Sequence, residues 1–288
     1  MKKGALIFAH NNREVDYALM SIISGGLAKK NLDIPVTLVT DKTTKDWMKE
    51  SKILSKAEEV FETIIEVEKP ESDNNRRLYD GVGYNKIVPF VNSNRSLAWE
   101  LTPYDKTLLL DSDYLIMSGA LNEYWDLDED ILISSAINDI YDEKRLGYHD
   151  KYVSDTGVHL YWATIVMFAK NQRSKSFFDM VNFVRDNYSY YGDLFRFDNH
   201  QYRNDISFSV AKHILSGFET ESKLSLPPVL TTLDKDILHS VDESGKLTFL
   251  ITPKLDENYC AAALKNTDVH IMNKKSIVRN SEALLRLI

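Results

Sequence analysis

The chain has 288 residues, 43% of them hydrophobic, enough to bury one large core or two closely joined lobes. Its net charge of −8 is opposite to the footprint of a protein that coats nucleic acid in bulk. A single cysteine, Cys260, excludes an internal disulfide; no Cys/His cluster suggests zinc, and Cys260 ahead of "AAAL" reads as a small buried side chain. The opening "MKKGALIFAHNNRE" is too short in apolar residues for a signal-peptide core, and no run approaches membrane-spanning length. The expectation is a soluble, cytoplasmic protein with no membrane partner.

In chain order, "ALIFA" (5–9) is a continuous apolar run of strand length. Asn11 and Asn12 offer a helix cap, followed at helical spacing by Val15, Leu19, Ile22, Ile23 and Leu27. "PVTLVTD" (35–41) reads as a second buried strand, a helical stretch covers about 43–58, and "ETIIEVE" (62–68) is a third strand. After the polar loop "KPESDNNRR", residues 85–96 read as a helix and "KTLLLD" (106–111) as a fourth strand. Strands without polar alternation, separated by helices, predict an α/β fold: a mostly parallel sheet covered on both faces. In such sheets ligands sit beyond the carboxyl ends of the strands, where His10, Asp41 and the pair Asp111 and Asp113 all fall. The linker-like spots are 69–76 and the Pro227-Pro228 region, and no internal repeat is visible.

The stretch "KTLLLDSDYLIM" (106–117) delivers two carboxylates to one spot behind three leucines. At i and i+2 they point the same way if the backbone stays extended. Like charges side by side repel, and burial sharpens the repulsion, so a cation between them would relieve both costs. The turn after the first strand, "AHNNRE", carries no G-x-G-x-x-G, and no Walker A loop is present. A metal bridging the pair and a diphosphate would take the place of a glycine cradle, and oxygen ligands favour Mg²⁺ or Mn²⁺.

A buried strand ending in D-x-D after roughly a hundred residues of βαβ resembles the GT-A, Rossmann-like fold of nucleotide-sugar glycosyltransferases. "VHIMNKK" (269–275) is similar to the late histidine-and-lysine motif of that superfamily. The resemblance implies His270 as third metal ligand and Lys274 or Lys275 on the diphosphate. The chain departs from the frequent H-x-x-G-x-x-K form, having Met272, Asn273 and Lys274. "RRLYDGVGYNKIVPF" (76–90) resembles the segment whose polar residues, here Asn85 and Lys86, touch donor sugar and phosphates. His10, Asn11, Asp41 and Ser112 are further donor-binding candidates. Residues 8–41 look like the glycosyltransferases of tailed bacteriophages, some of which add glucose or arabinose to hydroxymethylated pyrimidines in DNA. What this implies is a donor half (1–117) and an acceptor half (118–288) of one continuous domain. It also implies a UDP-linked sugar donor, Mn²⁺ or Mg²⁺, and 5-hydroxymethylcytosine in phage DNA as acceptor, inside an infected bacterial host.

Each signal has a plainer reading. D-x-D recurs in "DLDED" (126–130) and "LDKDIL" (233–238). Asp41 could simply cap the next helix, and a lone histidine such as His270 is ordinarily a strand residue. In the second half "YWATIVMFA" (161–169) should complete the sheet, and the tyrosine-rich stretch 186–215 offers either core or a platform for a sugar or base. There Asp205 could cap a helix or act as general base toward the acceptor hydroxyl, with Asp198 as the other candidate acid. Local basic clusters at Arg76-Arg77, Arg173–Lys175 and Lys274–Arg279 could meet a nucleic-acid backbone. The competing functions are transfer to a glycan, protein or small molecule, a metal-dependent nucleotide-sugar phosphohydrolase, and a non-catalytic binder.

Overall fold

The computed structural model describes residues 1–288 except 13, 70–73, 92, 142–144, 148–149, 219–223 and 252–257. Part of the linker-like stretch 69–76 lies outside the described residues. The chain opens with β1 (Lys3–Phe8), α1 (Tyr17–Leu32), β2 (Val36–Asp41), α2 (Lys42–Glu50), α3 (Leu54–Val60) and β3 (Thr63–Val67). A hairpin of β4 (Asn75–Tyr79) and β5 (Asn85–Pro89) follows, then short helix α4 (Ala98–Leu101), β6 (Lys106–Leu110) and β7 (Tyr114–Leu115). Next come β8 (Ile131–Ser134), β9 (Ile137–Asp139), β10 (Trp162–Ala169), α5 (Gln172–Asp186), α6 (Tyr188–Phe195) and α7 (Asn204–Leu215). The chain closes with β11 (Val229–Thr231), β12 (Ile237–Val241), β13 (Leu247–Ile251), β14 (Cys260–Leu264), β15 (Val269–His270), α8 (Lys274–Arg279) and α9 (Ser281–Leu285).

The central sheet has six strands in the order β3-β2-β1-β6-β10-β8. β1 pairs in parallel with β2 and β6, and β2 with β3, while β10 runs antiparallel to β6 and β8. The expected α/β fold with a mostly parallel, helix-covered sheet is therefore the observed one, and "YWATIVMFA" does join it, between two strands. Alternate side chains divide two cores, as period 2 requires. Ile7, Leu108, Leu110, Ile165 and Met167 pack with α1 on one face. Leu6, Leu109, Val166 and Phe168 pack with Phe177, Phe178 and Phe208 of α5 and α7 on the other. Burial on both faces explains why these strands show no polar alternation.

Several local expectations are corrected. The helix expected over 85–96 is β5 followed by a 3₁₀ turn (Ser93–Leu97), because "DGVG" supplies a hairpin turn with Gly81 at φ +69° and β-branched Ile87 and Val88 favour a strand. Helix α1 is capped by Asp16, which accepts from the Leu19 amide; Asn12 closes its own turn by accepting from Glu14 and Val15. The stretch 43–58 breaks into α2 and α3 at Lys52, whose φ is +60°. Cys260 is half-buried on β14, not fully buried. Most of the tyrosine-rich stretch is core: Tyr188, Tyr191, Phe195 and Phe197 are buried. No helix among the described residues is long and apolar enough to cross a membrane.

Candidate active site

β6 ends at Leu110, and Asp111–Tyr114 forms a tight turn closed by the Tyr114 amide donating to the Asp111 carbonyl at 3.2 Å. Asp111 and Asp113 thus converge on a turn and not on extended backbone. The strand after the turn delivers their partner. β7 pairs antiparallel with β15, setting His270 opposite Tyr114, and the Ile271 amide donates to the Asp113 carbonyl at 2.9 Å. One ligand atom from each of Asp111, Asp113 and His270 lies within 4.8 Å of the other two.

Charges crowd this spot. His270 Nε2 is 3.3 Å from Asp113 Oδ1, and Lys274 Nζ, at the start of α8, is 2.5 Å from Asp113 Oδ2. Arg95 donates to Asp111 Oδ1 at 2.6 Å. Burial pushes the Asp113 carboxyl up, but Lys274 and His270 outweigh it and hold it well below the usual carboxylate range. Asp111 goes the other way: burial, aided by Asp113, raises it despite Arg95. Burial, followed by Arg76, also depresses the Lys274 ammonium.

Hydrogen bonding here is incomplete. Arg95 Nε and Nη2 and His270 Nδ1 are buried without a hydrogen-bond partner, whereas Lys274 Nζ is paired with Asp113. Buried donors in native proteins are nearly always satisfied, so the two unpaired guanidinium nitrogens of Arg95 beside a cavity suit an anionic group. Two carboxylates and an imidazole form a donor set suited to Mn²⁺ or Mg²⁺, and the Arg95 and Lys274 side chains beside them suit phosphate oxygens. The residues present fit a metal–diphosphate pair.

The turn faces a cavity of about 540 Å³, within the range of small-molecule sites. His10, Ser112, Asp113, His270, Lys274 and Asp205 are among the residues lining it. Asp41 lies behind His10: its carboxylate meets His10 Nδ1 at 2.7 Å and accepts from the Thr44 amide and hydroxyl. Burial works against the Asp41 charge, but the hydrogen bonds from His10 and Thr44 hold its carboxyl below the usual range. The plainer reading of Asp41 as cap of α2 is correct, and the same residue also fixes His10.

Asp205, in the first turn of α7, is gripped by Arg203 through Nε at 3.1 Å and through Nη2. Asp198 is exposed, and its carboxylate accepts from the His200 amide in a turn away from the cavity. Asn85 and Lys86 are exposed on β5 and do not line the cavity; Lys86 pairs with Glu14. Asn11 is occupied internally, accepting from the Ala18 amide and donating to Asp16. Lys274, and not the half-buried Lys275, reaches the carboxylate pair; Lys275 lies over the Tyr84 ring at 4.2 Å.

Sequence reasoning missed Arg95 and Asn94, which donates to His10 Nε2 at 2.8 Å, because "NSNRSLAWE" carries no motif. Arg76 and Arg77 open the segment 76–90 that resembles a donor-contacting stretch, and it is they, not Asn85 and Lys86 within it, that line the cavity. Arg173 and Lys175 sit at the other end of the sheet: β10 ends at Ala169, opposite Lys106, where β6 begins. They pair there with Asp130 and Asp179, away from the carboxylate turn.

The chain matches no protein-family model and no curated protein. Solved structures to which it is similar include the glycosyltransferase GlyE of Streptococcus pneumoniae TIGR4 (14% identity, 81% of this chain and 45% of that one, TM-score 0.40). They also include the galactosyltransferase LgtC (17%, 73% and 70%, 0.43) and mouse xyloside xylosyltransferase 1 (10%, 76% and 83%, 0.42). The matched region spans less than half of GlyE.

Proposed function

We propose that the protein is a divalent-metal-dependent glycosyltransferase that moves a sugar from a nucleoside-diphosphate sugar to a hydroxyl group. The observation that carries this reading is the convergence of Asp111, Asp113 and His270 at the carboxyl end of β6, with Lys274 and the partly unpaired guanidinium of Arg95 beside them. Asp111, Asp113 and His270 are the residues that would hold a divalent ion, whose charge would stabilise the departing diphosphate. Lys274 and Arg95 add fixed positive charge in a site already ordered, so little reorganisation opposes the developing negative charge. Ser112 adds a hydroxyl at the cavity wall.

His10 lines the cavity with both ring nitrogens engaged, by Asp41 and Asn94, so it would shape the donor pocket without serving as a base or metal ligand. Asp205 is the candidate to orient or deprotonate the acceptor hydroxyl, once Arg203 loosens its hold. Asp198, Asn85 and Lys86 do not line the cavity and have no proposed contact with the reacting groups. The donor proposed is a UDP-linked hexose or pentose, arabinose among them.

The acceptor proposed first is 5-hydroxymethylcytosine in DNA, on the likeness of residues 8–41 to phage enzymes. Arg76 and Arg77, which line the cavity, are the basic groups suited to meet a backbone there. The test is transfer of labelled sugar from UDP-sugars with Mn²⁺ to hydroxymethylated duplex, glycans and protein in parallel. Transfer that disappears in Asp113→Ala and in excess EDTA supports the reading. Turnover undiminished by either overturns it, and sugar phosphate released regardless of acceptor marks a phosphohydrolase instead.

A further inference from the structure

We infer that Asp80 is a positioning residue for Lys274, holding the short helix α8 at both of its ends against the β4–β5 hairpin. Asp80 opens the hairpin turn, its amide donating to the Tyr84 carbonyl at 3.0 Å. Its carboxylate takes two bonds from Arg279, the last residue of α8, at 2.5 and 2.8 Å. The same carboxylate accepts from Asn273 Nδ2 at 3.4 Å. Asn273 is fully buried and caps α8 by accepting from the Ser276 amide. Lys274 is the next residue, so Asp80 reaches the helix immediately before the lysine and again at its far end.

A six-residue helix has little stability of its own, and its geometry depends on what braces it. Ile277 anchors one side in the core. The hairpin braces the other at three points: Asn273 and Arg279 through Asp80, and Lys275 through the Tyr84 ring and hydroxyl. β4 of the same hairpin brings Arg76 to the cavity. One carboxylate therefore couples two elements that supply cationic groups to the site. Asp80 does not line the cavity and acts only through Asn273, Arg279 and the helix between them.

The consequence for ligand affinity rests on the proposed glycosyl-transfer reading; the geometric claim does not, and two measurements separate them. The first is the rate at which an amine-directed acylating reagent labels Lys274, followed by peptide mass spectrometry without ligand. Lys274 is 1% exposed, so the native protein should label slowly. Asp80→Ala should label about tenfold faster or more while remaining folded, and Asp80→Asn, which keeps an oxygen acceptor for Arg279, should fall between. Asp46→Ala, which breaks the exposed pair with Lys42, should leave the rate unchanged. The second is calorimetric affinity for UDP with Mn²⁺, expected to weaken by about tenfold in Asp80→Ala. If Asp80→Ala does not fold, Arg279→Ala removes one end of the grip and gives the same two readouts. Lys274 as protected in these variants as in the native protein would overturn the inference. Native protein that ignores UDP would instead overturn the glycosyl-transfer reading, and the labelling would still decide the role of Asp80.

Discussion

Arg145 and Arg95 are both nearly inaccessible, at 8% and 3% exposure, and both meet aspartate, yet their surroundings differ in one respect. Arg145 donates through Nε to Asp139, through Nη1 to Asp236, and through Nη2 to both, with the Tyr141 ring 5.7 Å away. Every nitrogen of its guanidinium has a partner. Arg95 uses Nη1 on Asp111, and its other two nitrogens have none. Burial and charge are common to the two clusters. Unsatisfied donors beside a cavity distinguish the one suited to a ligand from the one that ties β9 to the turn before β12.

The largest difference should appear on replacing one buried charged residue in each cluster, Asp113 in the first and Arg145 in the second. Asp113→Ala should lower transfer on the order of 10³-fold, since it removes both a metal ligand and the anchor of Lys274. Its unfolding free energy should fall by less than that of the Arg145 variant, because loss of the buried Lys274 pair is offset in part by relief of the Asp111–Asp113 repulsion. Steady-state rates alongside urea unfolding check both halves; a strongly destabilised variant with normal rates would reverse the assignment of the two clusters.

Arg145→Ala should do the opposite. It strands two buried carboxylates, at a cost of about 3–5 kcal/mol, visible as a lower urea midpoint. Replacing Arg145, Asp139 and Asp236 together by apolar residues of similar volume should recover much of that loss, which a catalytic cluster would not allow.

His270→Ala should weaken Mn²⁺-dependent activity by about 10–100-fold at limiting metal while leaving the thermal midpoint within a few degrees. Wild-type kinetics at limiting Mn²⁺ would make His270 a strand residue and nothing more.

The smallest expected effect concerns Asp41, a buried acid whose hydrogen-bonding partners are all within the protein. Its folded-state pKa lies below the unfolded value near 3.9, so the stability it contributes is present above about pH 4 and lost as the pH falls toward the folded value. The gap in unfolding free energy between wild type and Asp41→Asn should therefore be full at pH 6 and narrow below about pH 4. A gap independent of pH would show that the carboxylate charge is not what the His10 and Thr44 contacts stabilise.

How much was legible follows the range of each interaction. The buried strands of the central sheet could be read because burial on both faces leaves continuous apolar runs, a property of a few adjacent residues. The helix expected at 85–96 failed because a hairpin turn outweighed weak helical spacing. Asp198 and the tyrosine-rich stretch were singled out by composition, which does not tell an acid or aromatic facing a ligand from one serving a turn or a core. Asn85 and Lys86 lay next to the right element: β4 of their hairpin reaches the cavity, while both of them point elsewhere.

The sequence by itself determined that two carboxylates would stand at the end of a buried strand, because leucines before them and apolar residues after them leave no other place. It also determined the type of sheet, since backbone hydrogen bonds and side-chain period are local. Residue pattern and spacing did not say which other groups would meet that pair: His270 and Lys274 were expected there only through a resemblance, Arg95 not at all, and tertiary structure brings all three. His270 arrives through the pairing of β15 with β7, Lys274 through a helix braced by Asp80, and Arg95 from a 3₁₀ turn without a motif. His270 and Lys274 lie more than 150 residues beyond the pair and Arg95 only 16 before it, yet all three contacts depend on how elements pack and not on spacing along the chain.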